Sequence, residues 1–159
     1  LASTWLVKRA DAESADRTRM LSTYLHHITL HFPIVGTMML GALGAWTLRE
    51  ESQALRSFLR WAGWALFGLT SVATGAGLWA MWTGAHATLD MVELGHHRNM
   101  GLMVWSITAL AAGGYERGIR ADDEDWRRFG VAMWCVAGVA VIGAGHWGGA
   151  GMHPDVVPW

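Results

Sequence analysis

Imidazole is the side chain on which any chemistry in this chain must rest. The sequence carries eight histidines, and all of them fall in three places: His26, His27 and His31 at the start of the first apolar run, His86, His96 and His97 between the second and third, and His146 and His153 at the end of the fourth. Neutral imidazole ligates haem iron and soft metals, carries protons, and hydrogen-bonds lipid headgroups or pigments. A lone histidine near a headgroup is commonly just an interfacial polar residue. A full set with none on the other side points instead to a site, because ionisable groups within membrane spans are costly and serve function by default.

Helices must position these residues. Uncharged runs cover 28–48, 61–85, 100–115 and 129–151, and about 20 apolar residues are needed to cross the hydrocarbon core. The third run reaches that length only if it begins near His96, which brings His96, His97 and Arg98 to the boundary. None of the runs shows the polar stripe of a soluble bundle helix. The expected fold is therefore all-α, an integral membrane antiparallel four-helix bundle. A short surface helix is expected within residues 1–24, with the membrane domain spanning 25–159. Pro33 reads as a first-turn residue of the first span, where proline is tolerated.

In such a bundle the three histidine-bearing places share one face. The opposite face receives Arg49, Arg56, Arg60, Arg117, Arg120, Arg127 and Arg128. Positive loops stay in the cytoplasm, so both termini and the histidine face are expected outside, in the periplasm of a bacterial inner-membrane protein. Trp46, Trp61, Trp64 and Trp126 fall near the inner boundary and Trp79, Trp82 and Trp147 near the outer, where amphipathic rings favour the headgroup level.

Several function classes are excluded. A net charge of −1 without a basic cluster of interleaved aromatics argues against nucleic acid. The single Cys135 permits no internal disulfide, no thiolate zinc cluster and no CxxCH attachment of haem. No HExxH, Ser/His/Asp order or phosphate-cradling loop is present.

Four imidazoles are the candidate cofactor ligands: His26, His31, His97 and His146. His27 and His31 are four apart on one helical face, or His26 and His31 form the pair if the helix begins later. His31, His97 and His146 are expected at nearly one depth on three helices and are the expected metal ligands. The first and third helices of an antiparallel bundle are diagonal neighbours, which lets two histidines grip a porphyrin. Glycines 36, 41, 44, 68, 75, 77, 138, 143 and 145 supply close approach, although small residues also serve plain helix packing. Met38, Met39 and Met81 are among the methionines that offer a soft ligand for copper.

His26-His27-Ile28-Thr29-Leu30-His31-Phe32-Pro33-Ile34 resembles the opening of a bacterial four-helix membrane family of unknown function, which begins with a histidine, four residues and His-Phe-Pro-Ile. Gly145-His146-Trp147-Gly148-Gly149 is similar to that family's ending. His27 stands where the family usually has proline, and Pro154 follows His153 where it has glycine. The resemblance covers roughly 25–155, and the association of some members with cytochrome c domains implies electron transfer. The expected function is thus a membrane-bound b-type cytochrome-like subunit holding one or two haem b groups. Its expected partners are the lipid bilayer, other membrane subunits, quinone and a periplasmic cytochrome c. A non-redox structural subunit of a respiratory or photosynthetic complex, and a copper-handling protein, are the alternatives.

Overall fold

A computed structural model describes residues 2–49, 52–84 and 91–152, with side chains left undescribed at 2–11, 91, 93 and 147–152. His86 and His153 lie outside the described residues, and so does the side chain of Trp147. Four helices make up the described chain: α1 (Ala2–Thr47), α2 (Gln53–Trp82), α3 (Met91–Ala121) and α4 (Glu124–Met152). Each packs on its chain neighbour and α4 closes onto α1, so α1 and α3 lie diagonally across the bundle. The all-helical four-helix fold is as expected.

The connections follow from local chemistry. Ser52 caps α2 by accepting from the Leu55 N–H, and Gly84, at φ +70, ends it in the left-handed conformation that glycine adopts without penalty. Between α3 and α4 stand only Asp122 and Asp123. Asp122 takes φ 50, and the Asp123 carboxylate accepts from the N–H groups of Asp125 and Trp126 to start α4. Glu124 and Asp125 then place negative charge on the first turn, where the helix dipole favours it.

The N-terminal segment is not a separate helix. α1 runs unbroken from Ala2 through the expected boundary at residue 24, and Pro33 sits in its interior rather than in a first turn. No helix breaker stands between Ala12 and Phe32, so nothing ends the helix. Pro33 removes the N–H that would bond the Thr29 carbonyl. Thr37 reinforces the next turn by donating its hydroxyl to the Pro33 carbonyl at 2.8 Å.

Outside the core at the arginine end much of the interior is small or hydroxyl-bearing, and many large apolar residues face outward. Ala73, Ala80, Ala111, Ala137, Thr37, Thr70 and Thr108 are buried, whereas Phe32, Met39, Phe58, Trp61, Val72, Val139 and Ile142 are exposed. Buried hydroxyls are satisfied by the helix itself, as Thr70 is by the Leu66 carbonyl. Helices can approach closely through such small residues. Three helices, over Ala12–Thr47, Gln53–Trp82 and Glu124–His146, are long and apolar enough to cross a membrane. α3 falls short because Glu93, Arg98 and Glu116 interrupt it.

The main apolar core lies toward the arginine end, where Leu59, Leu66, Tyr115, Val131 and Trp134 pack together. Glycine makes this possible where backbones meet. A Cβ at Gly130 would stand 2.6 Å from the Tyr115 nitrogen and 2.8 Å from the Ala111 oxygen, while at Gly68 it would meet nothing within 4 Å. Gly130→Ala should therefore destabilise the bundle by ~1–3 kcal/mol, the usual cost of overpacking, and Gly68→Ala should not. Thermal melts of both variants in detergent check this, and equal melting temperatures would contradict the α3–α4 packing described.

Candidate functional site

Two of the four candidate imidazoles meet inside the bundle. His26, on α1, is buried, and its Nδ1 lies 3.2 Å from the Ala73 carbonyl of α2. His97, on α3, is half-buried, with Nδ1 3.0 Å from the Ala144 carbonyl of α4. Their ring centres are 5.8 Å apart with planes inclined by 82°. The bundle's geometry explains the meeting, because α1 and α3 are diagonal and each ring reaches inward past a different neighbour.

The backbone bonds decide the tautomer. A carbonyl can only accept, so each Nδ1 carries its proton, and Nε2 holds the lone pair of the neutral ring. Metal-ligating histidines are commonly oriented in this way, with the second nitrogen given to a carbonyl or carboxylate. Room for the His26 ring comes from Gly77, where a Cβ would stand 2.7 Å from Cε1 and 2.9 Å from Nδ1.

The other candidates are placed elsewhere. His31 lies five residues further along α1, about 7.5 Å by helical rise, and is exposed beside Phe32 and Val35. His146 is exposed near the end of α4, and His96 is exposed next to His97. The structure therefore brings His26 and His97 together and leaves His31 and His146 outside that pair. His27, whose ring centre is 6.2 Å from that of His26, has a buried Nδ1 with no hydrogen-bond partner among the described residues.

Two imidazoles bound to one metal from opposite sides, with metal–nitrogen bonds of about 2 Å, place their ring centres roughly 6 Å apart. The His26–His97 separation of 5.8 Å is close to that span. A cavity of about 40 Å³ adjoins it, bordered by His26, Gly77, Met81, His97, Arg98 and Leu102 among others. That volume is enough for one water or one metal ion. A macrocycle requires Leu78, Met81, Leu94 and Leu102, which border the same space, to move. Among the described residues no group of three or more His, Cys, Asp or Glu side chains is arranged to hold a metal ion.

At the opposite end the arginines that mark that face in the sequence form an ion-pair belt with Glu116, Asp122 and Glu124. Glu116 accepts from Arg60 Nε and Nη2 at 2.5 and 2.7 Å and from Arg120 Nε at 2.5 Å. Arg127, almost buried, joins Asp122 and Glu124. The signal was available: Glu116 and Arg120 are one helical turn apart, whereas the Arg60 partnership depends on α2–α3 register. No comparable signal exists for the Ala73 and Ala144 carbonyls, since an alanine in a sequence does not mark its backbone as an acceptor. Of the glycines singled out, 36, 41, 44, 77, 138 and 143 meet neighbouring helices, while 68, 75 and 145 face open space.

No protein-family model, curated protein or solved structure matches this chain.

The hydrogen bond from Arg60 holds the Glu116 carboxyl at about 2, below its ordinary 4.5. A depressed carboxylate pKa stabilises the fold fully above the ordinary value and loses that contribution as pH falls toward the folded one. Melting of the wild type should thus fall between pH 4.5 and about 2 more steeply than that of Glu116→Gln, which should melt lower at neutral pH. Parallel pH profiles would contradict this role for the belt.

Proposed function

We propose that this chain is a membrane-bound, b-type cytochrome-like electron-transfer subunit in which His26 and His97 hold haem b near the histidine-bearing face. The observation that carries this reading is the pair itself: two imidazoles on diagonal helices, each with Nδ1 bound to a helix carbonyl and their ring centres 5.8 Å apart. When bound, haem supplies one-electron oxidation and reduction at iron. The chain's own part is positional. The Ala73 and Ala144 carbonyls fix ring orientation, Gly77 admits the His26 ring, and apolar helices exclude water.

The long apolar helices and outward-facing large side chains support placement in a bilayer. The arginine loops favour a bacterial inner membrane with both termini and the histidine face in the periplasm. There the subunit would exchange electrons with quinol or a neighbouring membrane subunit and a periplasmic cytochrome c.

One observation favours a second reading. The cavity is of ion size, and the Met81 side chain borders it together with both imidazoles. Imidazole and thioether together suit copper, so a copper-handling protein is the alternative. A non-redox structural subunit is what remains if the purified chain carries neither group.

Pyridine haemochrome and metal analysis of the detergent-purified chain separate these readings. Haem should be near-stoichiometric in the wild type and fall ~10-fold or more in His26→Ala and His97→Ala. Gly77→Val should also lower it by crowding His26, and His31→Ala and His146→Ala should retain most of it. Equal retention in all variants would sink the ligand assignment. Stoichiometric copper without porphyrin absorbance would favour the second reading.

A further inference from the structure

At the arginine end a shallow, open groove runs beside α3, bordered by Trp64 of α2 and by Gly113, Glu116, Arg117, Arg120 and Ala121. Its rim is basic. Glu116 is already taken by Arg60 and Arg120, and three arginines against one glutamate leave a local excess of positive charge. The Arg120 side chain is 73% exposed and uses only Nε on Glu116. Arg117 lies over the Trp126 ring at 4.6 Å and makes no ion pair among the described residues.

Three of the four nearby acids are otherwise engaged. Asp122 and Glu124 pair with Arg127, Glu124 also meets Arg128, and Asp123 caps α4, while Asp125 is exposed on α4. The floor of the groove is apolar and open. A Cβ at Gly113, one turn deeper than Glu116, would meet nothing within 4 Å, and the indole of Trp64 forms the opposite wall. Exposed Trp61 and Trp64 mark this level as the headgroup boundary.

We propose that this groove binds an anionic phospholipid, with the phosphate on Arg117 and Arg120 and one acyl chain along the α2–α3 seam over Gly113. Charge complementarity selects an anion, and the apolar floor beneath the arginines selects one that carries a hydrocarbon chain. Basic pockets between helices on the cytoplasmic side of a membrane take lipid headgroups on these grounds. The inference rests on the chain lying in a bilayer and not on haem.

The test is native mass spectrometry and thermal melting of the full chain in detergent with phosphatidylglycerol, phosphatidylcholine or inorganic phosphate. Phosphatidylglycerol alone should bind and raise the melting temperature. Its affinity should fall ~5-fold in Arg117→Gln and ~30-fold in the Arg117→Gln/Arg120→Gln double variant, and stay unchanged in Arg128→Gln, which alters an exposed arginine that does not border the groove. Arg117 makes no ion pair among the described residues and gives up only its stacking on Trp126, so its variant should melt only slightly below the wild type without lipid. Equal binding of phosphatidylcholine, an equal response to inorganic phosphate, or an equal loss in Arg128→Gln would overturn the site. A chain that stays monodisperse without detergent and ignores all three probes would overturn the membrane reading as well. A detergent-dependent chain that ignores phosphatidylglycerol would overturn the lipid site alone.

Discussion

An imidazole inside an apolar bundle must give its N–H to an acceptor, and here the acceptors are the carbonyls of neighbouring helices. Leaving such a buried donor unmade costs ~1–3 kcal/mol, so the Nδ1 bonds of His26 to Ala73 and His97 to Ala144 hold both rings in place. Each bond crosses to an adjacent helix, α1 to α2 and α3 to α4. The two rings then meet on the diagonal. This one arrangement ties all four helices to a common point and decides which ring nitrogen is presented there.

The two ends of the bundle divide the work. At the arginine end, Leu59, Tyr115 and Trp134 are packed at or near zero exposure, and Arg60, Glu116 and Arg120 tie α2 to α3. Trp134 fits because Gly63 faces it, a Cβ there coming within 2.5 Å of the indole. Toward the histidine end Ala73, Ala80 and Ala144 are buried and Gly77 makes room for the His26 ring, while Leu78, Met81, Leu94 and Leu102 border the space beside the imidazoles. The space beside the rings is about 40 Å³.

The number of helices, the short third apolar run and the diagonal relation of α1 and α3 were legible in the sequence, because hydropathy and loop length control them. The continuity of α1 was not. Proline suggested a helix start, yet a helix already formed upstream passes through Pro33 with the loss of one backbone bond. The site was half legible. Histidine counts and spacing marked His26, His31, His97 and His146, but which of them point inward depends on helix rotation, and the acceptors for His26 and His97 are backbone atoms with no side-chain signature.

The direct measurement is chemical cross-linking across the diagonal in a Cys135→Ala background. Cysteines introduced by His26→Cys and His97→Cys should be joined by a short bis-maleimide in native membranes. The pair from His31→Cys and His97→Cys should react far less, since His31 faces outward. Efficient joining of the first pair alone is the result this account predicts. Preferential joining of the second would mean that α1 is rotated and that the imidazole pair described here does not exist.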